Sequence, residues 1–201
     1  MSQIKSEMTK SAEGYVASFL KGEAFPGGFS YREELKRCNL DFSMESLKRI
    51  DAMLDQIRAN DAPKIDDFLE NHANQHFLHC IAFYAGKVAG LNAGIEAEWH
   101  TREEAIAIVP QLQHVWKEDL YETSIVCMFV PKGGGSQQYP PLLSICTRLF
   151  DAQKSVFASA SGIKMALNQN LGAGGATSSA KSSEKPAEGW FKKFRRILNS
   201  I

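Results

Sequence analysis

The stretch KIDDFLENHANQHFLHCIAFYAGKVAGL, Lys64–Leu91, opens the longest proline-free run in the chain. It is also the run densest in apolar and histidine residues, and it reads as one long helix. At 100° per residue, His72, His76 and His79 fall within about 60° of one another on a single helical face. Histidines four apart can share a zinc ion, so this face is where a metal site would sit if the chain had one. His72 and His79, however, are about 10 Å apart along the axis, too far for one ion to take all three. No HExxH pattern accompanies them, and Ile65, Phe68, Leu69 and Phe83 share their stripe. The expectation is a core-spine helix whose histidines find backbone or carboxylate partners, with no metal and no cofactor.

Upstream of this helix, Asn39–Glu45 is a clear start signal. Ser43 can accept from first-turn N–H groups, and Glu45 lies in the positive end of the helix dipole. Leu47, Ile50, Leu54 and Ile57 then form one face through Ala59, before Asp61-Ala62-Pro63 interrupts. Residues 3–21 place Ile4, Met8, Tyr15, Phe19 and Leu20 at helical spacing, and Gly22 with Pro26-Gly27-Gly28 ends that helix. Tyr31–Cys38 fits either a helical turn or a short extended piece.

Downstream, Asn92–His100 alternates weakly, as a half-buried strand does. Ala105–Val109 is short, apolar and closed by Pro110, and Gln111–Leu120 is ambiguous. Thr123–Val130, TSIVCMFV, is the best strand in the chain and nearly continuous in apolar residues, hence central. Pro131–Gln138 reads as a loop. Leu142–Asp151 and Ala152–Leu167 read as helices, with Leu143, Cys146 and Phe150 on one side of the first and Val156, Ile163 and Leu167 continuing the pattern. Helices, then a compact strand region, then helices again give an α+β fold over residues 1–168: helices packed on a small, mainly antiparallel sheet. From 169 to 188 the composition collapses to Gly, Ala, Ser and Lys, the signature of a flexible linker.

Four widely spaced cysteines (Cys38, Cys80, Cys127, Cys146) suggest free, buried thiols in a reducing compartment. The opening MSQIKSEMTK lacks the apolar core of a secretory signal, and no segment approaches the ~20 apolar residues that span a bilayer. A cytoplasmic protein, in reach of the inner membrane surface, is expected. His100 and His114, with Glu98, Glu103, Glu104, Glu118 and Asp119 nearby, have the chemistry of an acid–base couple. Surface charge on a strand edge accounts for them equally well. Gly133-Gly134-Gly135 could cradle an anion with successive N–H groups, but GxxxxGK[ST] is missing and Tyr139-Pro140-Pro141 separates the glycines from the next helix.

The C-terminal segment 189–201 is different in kind. Trp190, Phe191, Phe194, Ile197, Leu198 and Ile201 fall within a ~120° arc at helical spacing. Lys192, Lys193, Arg195 and Arg196, with Asn199 and Ser200, take the remainder. Twelve residues are too few for a stable isolated helix in water, so this one should fold when its apolar face meets something. An anionic bilayer, a groove on a protein partner, or the protein's own body would serve. Nucleic acid is disfavoured, since residues 1–180 carry 17 basic against 21 acidic groups.

Leu40–Asp51 (LDFSMESLKRID), followed by Ala82–Lys87 (AFYAGK) and then Trp99, resembles a family of small bacterial cytoplasmic domains of unknown function. Those domains pair an ESLxxxDxxL helix with a second helix ending in Tyr-x-Gly and then a strand carrying Trp. Lys87 stands where that family has Glu, and the likeness spans roughly residues 40–130. The resemblance implies a compact bacterial α+β module among proteins where partner binding is commoner than catalysis. Sequence as a whole points to a non-enzymatic interaction or adaptor protein recruited through its tail. The alternative is a small metal protein or enzyme using the His72/His76/His79 face.

Overall fold

A computed structural model of the chain describes residues 6–116, 120–131 and 136–172, the last three of these through their backbone alone. The fold is α+β, mostly helical, with a small three-stranded antiparallel sheet. The expected single helix from Lys64 is two: α4 (Ile65–Glu70) and α5 (His72–Ala93). Between them Asn71 is extended, and its side chain accepts the Ala73 N–H at 2.9 Å. A short amide that caps the second helix competes with continuation of the first. The last carbonyls of α4 are not wasted: Phe68 accepts from the Asn74 amide (3.0 Å) and Leu69 from the Gln75 amide (2.6 Å).

From Phe77 to Gly90 nearly every side chain of α5 is buried, and this helix is the spine of the core. It ends at Gly94, whose left-handed conformation (φ 70°) lets Ile95 N–H reach back to the Gly90 carbonyl at 3.0 Å. The strand therefore starts at Ala97 and not at Asn92.

Against this spine lie α1 (Glu7–Leu20) and α3 (Met44–Asp61) from the first half of the chain, with the short α2 (Arg32–Arg37) packed on α3. Ser43 caps α3 as expected, accepting the Ser46 N–H at 3.2 Å, and Leu47, Ile50, Leu54 and Ile57 are buried. Segment 31–38, undecided from sequence, is helical over Arg32–Arg37.

The sheet has the order β1 (Ala97–Thr101), β2 (Ile125–Phe129), β3 (Gln137–Tyr139), with β2 central as its composition required. Strand β3 begins inside the segment Pro131–Gln138 expected to be loop and ends one residue beyond it. Pairing Trp99 with Cys127 and Cys127 with Tyr139 puts these three in one row across the sheet, on the face turned to the main core. That face meets α5 at glycines. A Cβ on Gly86 would lie 2.4 Å from the Trp99 ring, and one on Gly90 would lie 2.7 Å from the Ile95 carbonyl oxygen. Only bare backbone admits the indole.

The opposite face, Val126 and Met128, is covered by α6 (Arg102–Ile108) and α7 (Leu112–Val115) through Ala105 and Leu112. The short apolar run at 105–109 is thus part of a helix. Thr101 and Glu104 close a capping box at its start (2.9 and 3.3 Å), which local apolar content does not reveal.

Helices α8 (Pro141–Asp151) and α9 (Val156–Gly172) complete the core. The buried face of α8 is Leu142, Ile145, Cys146 and Leu149; Leu143 and Phe150 are only half-buried, so the expected stripe is shifted by one position. Val156, Ile163 and Leu167 of α9 are buried, and the helix overlaps the first residues of the expected linker. Asp51 of α3, itself buried, accepts from Ser155 Oγ (2.6 Å) and from the N–H groups of Val156 (2.8 Å) and Phe157 (3.2 Å). A carboxylate on one helix thereby caps another, the favourable end of its dipole.

Candidate functional site

His76 belongs to the half-buried side of α5 that faces α1 and the loop after it. Its Nε2 lies 2.7 Å from the Pro26 carbonyl oxygen, which can only accept, so that nitrogen carries the proton. Its Nδ1 is then a lone pair, and it accepts the hydroxyl proton of Tyr15. One imidazole joins α5, α1 and the Pro26 loop. The Tyr15 ring packs on Phe25 (5.0 Å between centroids) and Phe83 (5.5 Å), and burial pushes its hydroxyl pKa well above the ordinary value.

His79, one turn on, stacks against Tyr121 with centroids 5.9 Å apart and planes 23° from parallel. Burial, followed by the charge that His76 would add, pushes its pKa down to about 4. Its imidazole is therefore neutral at physiological pH. Around it, burial also raises the pKa of the Cys80 and Cys146 thiols and of the Glu122 carboxyl. Protonated, buried thiols are poor nucleophiles. All four cysteines are free and buried.

His72 is exposed at the start of α5, so the three histidines share a face without converging. Among the described residues, no three His, Cys, Asp or Glu side chains are arranged to hold a metal ion. The second candidate, the His100–His114 couple, is not assembled either. His100 lies 3.9 Å from Glu98 and 3.9 Å from Glu104, and the latter carboxylate is already engaged by the Thr101 N–H. His114 is on α7, and no hydrogen bond or ion pair of the described residues joins it to His100. Glu118 and Asp119 lie outside the described residues, as do Gly133, Gly134 and Gly135 of the glycine-rich loop. So does the whole segment 189–201, with Trp190, Phe191, Lys192, Lys193, Phe194, Arg195, Arg196, Ile197, Leu198 and Ile201.

A feature that sequence reading missed lies beside the other end of α5. Between α1, α5 and β1 is a cleft of about 270 Å³, lined by Val16, Leu20, Phe42, Phe83, Lys87 and Trp99. A second hollow of about 300 Å³, lined by Gly90, Leu91, Ile95 and Glu96, adjoins it at Lys87 and Ala97. Small residues keep the floor low: Ala12 and Ala17 on α1, Gly90 on α5, Ala97 on β1. Leu20 (47 % exposed) and Leu91 (55 % exposed) stand uncovered along this trough, although Leu20 has the spacing of the packed face. One ion pair, Glu13 to Lys87 at 4.0 Å, crosses its rim. The only signal in the sequence was the pair Ala12 and Ala17 on α1, which spacing alone cannot distinguish from ordinary helix packing.

The trough is held open by the way α1 meets β1. Ser6 caps α1 by accepting the Thr9 N–H at 3.1 Å and also reaches the Trp99 carbonyl at 3.1 Å. Thr9 Oγ1 accepts the Trp99 N–H at 2.9 Å. Two hydroxyls at the helix start thus satisfy the N–H and the carbonyl of Trp99 in the edge strand β1, groups that would otherwise be open to another strand.

Comparison with known proteins gives no match: no family model, no curated protein and no solved structure is similar to the chain.

Proposed function

We propose that this chain is a non-enzymatic interaction protein, an adaptor whose C-terminal segment Trp190–Ile201 carries it to an anionic membrane surface or a protein partner. The observation that carries this reading is the complete separation of six large apolar residues from four cations within twelve residues. Charge runs the same way. Residues 1–172 hold 17 basic and 21 acidic groups, whereas 173–201 hold six basic and two acidic. Cations clustered on so short a segment draw it to anionic lipid by roughly 1 kcal/mol each. Trp190, Phe191 and Phe194 are the residue types that settle at the headgroup boundary.

The folded body is consistent with a carrier. Its most suggestive polar groups are spent on architecture: His76 ties two elements to α5, and Asp51 caps α9. No described helix is long and apolar enough to cross a membrane, so attachment would be peripheral.

Deleting residues 186–201 tests the reading. The truncated protein should still unfold cooperatively and lose flotation with vesicles of phosphatidylcholine and phosphatidylglycerol, or lose capture of its partner. Equal flotation and capture by both proteins would end the proposal.

A further inference from the structure

We propose that the segment Trp190–Ile201 docks in cis, as an amphipathic helix, in the trough between α1 and the glycine end of α5, so that its apolar face is hidden until a competing surface draws it out. This rests on the recruitment role proposed for the same segment and adds its regulation.

Shape and chemistry match. The cleft of about 270 Å³ is large enough for one aromatic side chain, and its walls are Val16, Phe42, Phe83 and Trp99. The adjoining hollow prolongs it towards Leu91. Along a helix, Trp190, Phe194, Ile197 and Ile201 span about 16 Å on one side, the anchor pattern of a helix laid in a groove. Leu20 and Leu91, the two apolar side chains most exposed along the trough, are the ones such a helix would cover.

Charge is complementary. The counts above leave residues 1–172 at −4 and residues 173–201 at +4, and Glu13 and Glu96 both line the trough. With its apolar arc turned inward, the cations of the segment flank the rim where these carboxylates stand. Lys87 is the one cation among the lining residues, and Glu13 lies 4.0 Å from it.

Length permits the docking. Seventeen residues separate Gly172 from Trp190, a contour of at most about 60 Å. A body of this size is about 40 Å across, so the tether reaches nearly every point of its surface. Tethering holds the segment at an effective concentration on the order of millimolar, so even a weak intrinsic affinity keeps the trough largely filled. A membrane or partner must then compete, and the fraction of free tail sets the apparent affinity for it.

The experiment uses the full chain with Leu20→Cys and Phe194→Cys together, oxidised at low protein concentration; the natural cysteines are buried. An intramolecular disulfide, seen as a faster-migrating monomer on non-reducing gels, is expected. It should form at least tenfold faster than in a control pairing Leu20→Cys with Asn199→Cys on the polar side of the segment. A disulfide only between chains, or equal rates for both pairs, overturns docking in cis. In parallel, Leu20→Glu, at an exposed position, should raise flotation with phosphatidylglycerol vesicles several-fold, and Phe194→Glu should abolish it. If Leu20→Glu changes nothing while Phe194→Glu abolishes flotation, the docking fails and the recruitment stands. If Phe194→Glu changes nothing, recruitment to lipid fails, and the cross-link alone decides the docking.

Discussion

At its N-terminal end α5 meets its neighbours through side-chain hydrogen bonds; at its C-terminal end it meets them by having no side chain at all. His76 reaches out to Tyr15 and Pro26, and Asn71 and Gln75 close the gap left by the break after α4. Gly86 and Gly90 instead let the sheet settle directly onto the helix backbone. Polar anchors hold loops, whose backbone groups need partners. Bare backbone admits a sheet and its bulky indole, which need room. The same helix therefore carries a histidine, His76, whose two ring nitrogens both hold neighbouring elements.

The sharpest way to break the contrast is at Gly86. Ala in place of Gly at an open helical site stabilises by up to about 1 kcal/mol. At Gly86 the new Cβ would stand 2.4 Å from the Trp99 ring and 3.2 Å from Cys127 Sγ, so overpacking wins. Gly86→Ala should cost about 2 kcal/mol net or more, read from urea midpoints. Gly14→Ala on α1, where nothing lies within 4 Å, should instead gain up to about 1 kcal/mol. Equal effects at the two sites would mean that the sheet does not rest on the glycines.

At the histidine end the expected effect is smaller. His76→Leu keeps the bulk and leaves the Tyr15 hydroxyl and the Pro26 carbonyl without their partner, a loss of about 1–3 kcal/mol. Flotation and partner capture should not change, because the tail is intact. A stable variant with lost binding would return the function to this face.

The third test reads His79 by pH. Its folded-state pKa, about 4, is below the roughly 6.5 of an exposed imidazole, so between these values the unfolded chain binds more protons. Stability contributed by the neutral ring is complete above pH 6.5 and is lost as pH falls towards 4. Between pH 7.5 and 5.5 the wild type should lose about 1 kcal/mol relative to His79→Phe, which keeps a ring against Tyr121. A constant difference across that range would show that His79 is free to charge in the folded protein.

Much of this was legible beforehand where one local cause dominates. Ser43 caps α3 because a hydroxyl followed by an apolar stripe has few other uses, and IVCMF, the middle of the expected Thr123–Val130 run, is the central strand because both of its faces are buried. Thr123 closes a 3-10 turn before it and Val130 lies beyond its end. The break at Asn71 was not legible, since Phe68 and Leu69 keep helical phase with the histidines across it. Strand β3 was hidden because QQY has no apolar alternation, and it pairs only because β2 offers an edge. Of the candidate sites, the histidine stripe was visible and so was its need for a backbone partner, which His76 finds at Pro26; which loop and which hydroxyl would meet it was not. The trough was invisible, because a cleft is defined by side chains too small to fill it.

By itself, then, the sequence determined which segments are helix and strand where periodicity and caps agree, and the amphipathic character of Trp190–Ile201. Those depend on neighbours in the chain, which sequence states directly. Only the tertiary structure decided that His76 bonds to Tyr15 and Pro26, that Trp99 lies on Gly86, and that α1 and β1 leave a trough beside Leu20. These pairings join residues up to 93 positions apart, as Ser6 and Trp99 are. No local propensity encodes which distant surfaces meet; packing does.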